Sequence, residues 1–113
     1  MHEYSIVESL FERIREAAQR RGATAVRRVT VQIGEIAGVD AELLRTAYDL
    51  FRERTICAAA PLEIEPVPAR WGCPAGHGEV ARGHALACRV CGRPASLEAG
   101  DEILLRQLEL EVP

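Results

Sequence analysis

The chain has 113 residues, of which 48% are hydrophobic and 27% charged, a composition that fits one globular domain or a small domain with an insert. Its formal net charge is −3, and all 14 basic residues are arginines without a basic run, which argues against a nucleic-acid partner. No apolar run approaches the roughly 20 residues of a membrane span, and the acidic first 20 residues do not resemble a secretory signal. We therefore expect a cytoplasmic protein without a membrane partner.

The first half of the chain predicts a helix, a strand and a second helix. Apolar residues recur at helical spacing from Tyr4 to Arg21, and Gly22 is suited to end that helix. From Arg27 to Ile33 the apolar residues alternate with polar ones, which is typical of a half-buried strand. Asp40 is placed to cap a second helix that runs to about Thr55.

Two further strands are predicted, with an irregular segment between them. The alternation from Pro61 to Val67 indicates one strand, and the alternation after Gly100 indicates the other. The residues expected on the apolar face of that last strand are Leu104, Leu108, Leu110 and Val112. The simplest assembly is an α+β fold, two helices packed on a small, three-stranded, mainly antiparallel sheet formed by residues 1–69 and 100–113. Residues 70–99 are then an inserted, zinc-ribbon-like subdomain.

The inserted segment carries three of the four cysteines, at spacings typical of metal ligands. Cys88 and Cys91 are separated by two residues, as in a zinc knuckle. Upstream of them, Gly76 stands where a knuckle containing Cys73 would have its second cysteine, and a histidine follows at once. We expect a structural, tetrahedral zinc site, because four protein ligands leave no open position for a substrate. Its predicted ligands are Cys73, His77, Cys88 and Cys91.

Other interpretations of these residues stay open. His84 is the alternative fourth ligand, and the alternatives to a metal site for Cys88 and Cys91 are a redox pair or unbound thiols. The remaining cysteine, Cys57, is predicted to be a buried core thiol.

The first three residues form a second candidate metal site. The amine of Met1, the backbone nitrogen and imidazole of His2, and the amide nitrogen of Glu3 can form fused chelate rings in a plane, a geometry that suits Ni(II) or Cu(II). The alternative is an ordinary frayed terminus.

The start Met-His-Glu-Tyr-Ser, a strand ending at Ile33-Gly34-Glu35, Asp40 at the second helix and the late cysteine insert occur together. This combination resembles the HypA/HybF family of nickel metallochaperones for [NiFe]-hydrogenase maturation over essentially the whole chain. The resemblance implies a nickel site formed by Met1, His2 and Glu3, with Asp40 as a ligand or a neighbour of the ligands. It also implies a nickel carrier that is not an enzyme, with a HypB-type GTPase, the hydrogenase large-subunit precursor and, in some organisms, urease accessory proteins as partners.

The zinc segment departs from the family pattern, in which two complete CxxC pairs are usual. If His77 is a permanent zinc ligand, His84 is the only spare imidazole for the change of ligands that, in the family, signals nickel loading or acidity to the nickel domain.

Two other functions are compatible with parts of the sequence. A zinc-ribbon interaction module without a nickel role would use a contact set made of Trp71, Arg82, Arg89 and Arg93. A hydrolytic zinc enzyme would need an open zinc position and a general base, and Glu79 is the only carboxylate between Trp71 and Leu97.

Overall fold

The computed structural model describes residues 2–83 and 85–113, in which two helices and six strands follow one another along the chain. The elements are α1 (His2–Arg20), β1 (Ala25–Gly34), α2 (Ala41–Phe51), β2 (Leu62–Val67), β3 (Arg70–Gly72), β4 (Glu79–Val80), β5 (Ser96–Ala99) and β6 (Ile103–Glu111). A 3-10 turn at Arg52–Arg54 extends α2.

The strands form two separate three-stranded sheets. In the main sheet the order is β2–β1–β6, and β1 pairs antiparallel with β6. The pair of β1 and β2 is parallel, with Val29 opposite Leu62, because the connection between them passes through α2. In the small sheet the order is β4–β3–β5, and both pairs are antiparallel. The predicted α+β class is confirmed, with two helices and two mostly antiparallel sheets.

The core lies between the two helices and one face of the main sheet. The apolar stripe of α1 contributes Val7 and Ile14, and α2 contributes Leu44 and Tyr48, all with no exposed surface. The Tyr48 hydroxyl donates a hydrogen bond of 2.9 Å to the carbonyl of Ala60, which satisfies its polar group inside the core. The buried residues from the strands are Val26, Val29, Val31, Ile33 and Leu62.

The fourth cysteine belongs to this core. Cys57 is completely buried, as predicted, and burial raises the pKa of its thiol. It lies outside the metal-ligand cluster of the insert and behaves as a small apolar side chain.

The ends of both helices differ slightly from the sequence prediction. Helix α1 begins at His2, two residues before the predicted Tyr4. The Asp40 cap of α2 is confirmed, because its Oδ1 accepts a hydrogen bond of 3.1 Å from the Leu43 backbone N–H. The helical hydrogen bonding changes to the 3-10 turn after Phe51, before the predicted end at Thr55.

The predicted apolar face of the last strand is wrong at Leu104, whose side chain is 45% exposed. The register of β6 against β1 shifts between Leu105 and Gln107, so Arg106 is an extra residue in a β-bulge. The extra residue moves the alternation to Ile103, Leu105, Leu108 and Leu110, which pack against the core. Val112 lies beyond the strand end and is also exposed.

The two sheets join where β1 ends, at a close backbone crossing. Gly34 donates a backbone hydrogen bond of 2.8 Å to Glu102, and Ile36 donates one of 2.9 Å to Gly100. A Cβ atom at Gly34 would lie 2.2 Å from the carbonyl carbon and oxygen of Gly100. Only a residue without a side chain fits between these two segments.

Gly34→Ala should therefore destabilise the protein by about 3 kcal/mol, the upper end of the usual cost of overpacking, since backbone would have to move away from backbone. Urea denaturation monitored by circular dichroism would measure the change. A midpoint equal to that of the unsubstituted protein would show that the crossing is not tightly packed.

Candidate metal sites

The four predicted zinc ligands lie together at one end of the small sheet. Their ligand atoms all lie within 4.8 Å of one another. The Cys73 Sγ is 3.4 Å from the His77 Nδ1 and 3.6 Å from the Cys91 Sγ, and the Cys88 Sγ is 3.6 Å from the same His77 nitrogen. A tetrahedral zinc ion with ordinary Zn–S and Zn–N bonds places its ligand atoms roughly 3.5–3.8 Å apart. The donor set and its spacing therefore fit a zinc ion.

Backbone groups around Cys73 and Cys88 favour their thiolate forms. The sulfur of Cys73 accepts the Ala75 N–H at 3.3 Å, and that of Cys88 accepts the Val90 N–H at 3.3 Å. A further N–H, that of His77, is the main cause that lowers the pKa of the Cys73 thiol to about 6. The pKa of Cys88 is also lowered, chiefly by the backbone N–H of Cys91. Thiolate is the form that binds metal, so the backbone around Cys73 and Cys88 favours metal binding by both sulfurs.

The backbone conformation at the position of the missing second cysteine disfavours a side chain. Gly76, at the position where that cysteine would stand, has a φ of +89°, which a residue with a Cβ rarely adopts. The next residue, His77, reaches back to Cys73 and Cys88 with its longer side chain, and these two sulfurs raise the pKa of its imidazole. The alternative ligand, His84, lies outside the described residues.

The start of α1 meets the start of α2. Glu3 is buried, and its Oε2 accepts a hydrogen bond of 3.1 Å from the backbone N–H of Asp40. That bond is the main reason why the pKa of the Glu3 carboxyl is lowered. The imidazole Nε2 of His2 lies 3.7 Å from the same Glu3 oxygen. Three of the four residues proposed for nickel are therefore brought together, and the fourth, Met1, lies outside the described residues.

An ion pair connects the insert to the main sheet. The carboxylate of Glu35 accepts two hydrogen bonds from the Arg82 guanidinium, at 2.8 and 3.0 Å, and a third from the Ala69 N–H at 2.9 Å. Arg82 is the main cause of a lowered pKa at Glu35. Sequence reasoning missed this contact, because 47 residues separate the partners and neither carries a local signal. Arg82, expected in the contact set of an interaction module, is engaged within the chain.

Together, the fold and the clusters define a small α+β protein in which the segment between β2 and β6 carries a Cys3His cluster that could hold a metal ion. None of the described helices is long and apolar enough to cross a membrane. Residues 1–110 match the family model described as HypA, hydrogenase/urease nickel incorporation metallochaperone. The chain belongs to the HypA family, a family of metallochaperones and not of catalysts.

Individual relatives agree with the family model over the full length. The hydrogenase maturation factor HypA of Shewanella baltica is 39% identical, with 98% of this chain and 97% of the relative covered. The factor of the same name from Acidithiobacillus ferrooxidans is 35% identical, with 98% and 100% covered.

Solved structures share the fold. The solution structure of the nickel metallochaperone HypA from Helicobacter pylori is 28% identical, with a TM-score of 0.76 and 98% of both chains covered. The solution structure of another HypA protein is 30% identical, with a TM-score of 0.82, and covers 100% of this chain and 98% of its own.

Proposed function

We propose that this chain binds Ni(II) at its N-terminus and delivers it for the maturation of [NiFe]-hydrogenase. The proposed ligands are the Met1 amine, the His2 imidazole and backbone nitrogen, and the Glu3 amide nitrogen, with Asp40 as a ligand or neighbour. The observation that carries the proposal is the hydrogen bond between the Asp40 N–H and the buried Glu3 carboxylate. It holds the start of α1 against the start of α2 beside the His2 side chain.

Helix geometry leaves the required nitrogens available. The first four backbone N–H groups of an α-helix have no acceptor within the helix, and His2 and Glu3 are the first residues of α1. The positive end of the helix dipole stabilises amide nitrogens that lose their protons to a metal. A planar nitrogen set of this kind selects Ni(II) over Zn(II) by geometry.

Asp40 has a second role that limits how it can reach the metal. Its Oδ1 caps α2 through the Leu43 N–H. Only the other carboxylate oxygen is then available for nickel, and binding through it would link the metal to the start of α2.

We further propose that Cys73, His77, Cys88 and Cys91 hold a structural zinc ion in a subdomain of residues 70–99. The support is the spacing of their ligand atoms and the bounds of the small sheet, which begins at Arg70 and ends at Ala99. The apolar side chains of this insert are few, so the ion would supply the stability that a core cannot. Residues 1–69 and 100–113 would form the nickel-binding domain.

A carrier must also release its metal to other proteins. In the proposed sequence of events a HypB-type GTPase cooperates with the loaded carrier, which docks on the hydrogenase large-subunit precursor, and urease accessory proteins are the corresponding partners where urease is served. The support is membership of a family of hydrogenase and urease nickel-incorporation factors.

The experiment is a calorimetric titration of zinc-loaded protein with Ni(II), at about pH 7.5 and about pH 6. We expect one nickel per chain, and affinity at least about tenfold weaker at the lower pH, because protons compete with the metal for nitrogen ligands. An unchanged affinity at the two pH values would contradict a nitrogen site, and absence of binding would leave the chain without cargo.

A further inference from the structure

An uncovered groove runs along the molecule between α1 and β6. It consists of two adjoining hollows of about 340 Å³ each, which share Leu105 as a lining residue and which we call the α1/β6 groove. Its floor is the row of β6 side chains that face the helices, Ile103, Leu105, Leu108 and Leu110. These are only half-buried, whereas Val29 and Val31 on the neighbouring strand β1 have no exposed surface. Helix α1 therefore leaves the apolar face of β6 partly open.

The backbone beside this groove is also available. Strand β6 is an edge of the main sheet, and no described strand pairs with its outer side. The carbonyl of Glu111 accepts the Thr24 N–H and so points towards β1. By the alternation of an antiparallel pair, the N–H and C=O groups of Leu108 and Leu110 point outward.

The opposite edge of the sheet is protected against further pairing, which makes the exposure of β6 distinctive. Strand β2 contains Pro66 and lies between Pro61 and Pro68, and the Arg45 guanidinium donates to the carbonyl of Leu62. Strand β6 contains no proline. The second register shift of the β1–β6 pair places its extra residue on β1, between Val26 and Arg28, so Gln107–Glu111 itself contains no bulge.

The rim of the groove carries unbalanced positive charge. Arg20 and Arg21 line one hollow and Arg13 the other. None of the three forms an ion pair within residues 2–83 and 85–113, while Arg28 and Arg106 on the sheet do pair with glutamates. Arg20 is the last residue of α1 and Arg21 follows it, so both positive charges lie near the C-terminal end of the helix.

We propose that the α1/β6 groove binds an extended acidic segment of a partner protein, which adds to the main sheet as a fourth strand along Gln107–Glu111. The outward backbone groups of Leu108 and Leu110 would pair with the segment, as in other cases of strand addition. Carboxylates of the segment would lie against Arg20 and Arg21, and its apolar side chains would cover the half-buried leucines of the groove. The groove needs no metal for this binding.

Charge decides between this occupant and a second copy of the chain. Two copies joined antiparallel through Gln107–Glu111 would bring both sets of Arg20 and Arg21 to one seam. Like charges facing one another across an interface oppose association, whereas an acidic segment is complementary to them.

The test uses a fluorescein-labelled nine-residue peptide, in which three valines alternate with threonines at the centre and two glutamates lie at each end. Its anisotropy is followed on titration with the protein. We compare the double variants Arg20→Glu/Arg21→Glu and Arg54→Glu/Arg70→Glu, which change the net charge equally but at different places. A peptide with lysines in place of the glutamates and one with N-methyl groups along one edge complete the set.

We expect the acidic peptide to bind at least about tenfold more weakly to the Arg20/Arg21 variant than to the unsubstituted protein. Its affinity for the Arg54/Arg70 variant should differ by less than about twofold. The lysine and N-methylated peptides should bind the unsubstituted protein more weakly than the acidic peptide does, by a factor similar to that caused by the Arg20/Arg21 substitutions. In NMR spectra, the amide signals that shift on binding of the acidic peptide should belong to Gln107–Glu111. Thermal melts monitor folding of both variants. Equal binding of acidic and lysine peptides, equal effects of the two double variants, no binding at all, or sedimentation as a dimer through β6 would each overturn the proposal.

Discussion

Removing zinc should unfold the insert while the main domain stays folded. The small sheet has strands of only two to four residues, and the metal cluster lies at its end. Structural zinc contributes about 10–16 kcal/mol of apparent binding free energy in zinc-finger peptides at neutral pH, more than so small a sheet can supply by packing. Trp71 on β3 is the only tryptophan of the chain, so its fluorescence reports on the insert alone. We expect a red shift on chelation with EDTA, with helical circular dichroism largely kept.

Single-ligand variants sharpen this result. Cys88→Ser should release the zinc and shift the Trp71 fluorescence in the same way. Cys57→Ala is the matched control, because that cysteine lies in the core of the main domain and should leave the zinc content at one per chain. His77→Ala should weaken zinc binding and His84→Ala should not. Retention of one zinc ion in Cys88→Ser, or a folded insert in metal-free protein, would contradict the four-ligand site.

Replacing the His2 side chain should abolish tight nickel binding. His2→Ala removes the imidazole, the only aromatic nitrogen of the proposed set, and opens one of the fused chelate rings. We expect the nickel affinity to fall by at least about a hundredfold, since an incomplete planar set loses both a ligand and the geometry that selects Ni(II). Calorimetry with Ni(II), on protein that retains its zinc, measures the loss.

Glu3→Gln is the control for that experiment. In the proposed site Glu3 supplies its backbone nitrogen, so an amide side chain that still accepts the Asp40 N–H should leave nickel affinity nearly unchanged. The substitution should instead alter the pH dependence of stability. Folding lowers the pKa of Glu3, so the ionised carboxyl stabilises the folded protein above the unfolded-state pKa. This contribution to the free energy of unfolding is lost as the pH falls through the folded-state pKa. Loss of nickel binding in Glu3→Gln would assign the carboxylate itself as a ligand.

Local sequence patterns were sufficient to predict most of the helices and strands of the main domain. The apolar stripe of α1 and the Asp40 cap depend on residues three or four positions apart, and both are found in the structure. The bulge at Arg106 was not predictable, because an extra residue in a strand leaves no mark in the sequence and yet moves Leu104 to the opposite face. An alternating pattern does not show the direction of a strand, so the signal for the parallel pair of β1 and β2 was the predicted helix between them, because parallel neighbours need such a crossover.

For the candidate sites, ligands close together in the sequence could be predicted, whereas contacts between residues far apart in the sequence could not. The two residues between Cys88 and Cys91 pointed to a metal, Cys73 and His77 were predicted from the incomplete knuckle upstream, and the structure brings all four together. The positive φ of Gly76, which disfavours a cysteine at that position, could not be inferred from the spacing of the ligands. The hydrogen bond from Asp40 to Glu3 joins residues 37 apart and was not predicted, since the family resemblance implied only that Asp40 is a ligand or a neighbour of the ligands.

The most direct test of the nickel site compares the chain starting at Met1 with a version that carries a short N-terminal extension. Each is titrated with Ni(II) after zinc loading, and Met1 is confirmed by mass spectrometry. The extension converts the terminal amine into an amide and leaves the sequence that follows unchanged. Near-stoichiometric binding in the first protein and a loss of at least about a hundredfold in the second is the predicted result. Equal binding in both would contradict a terminal chelate and place the nickel elsewhere in the chain.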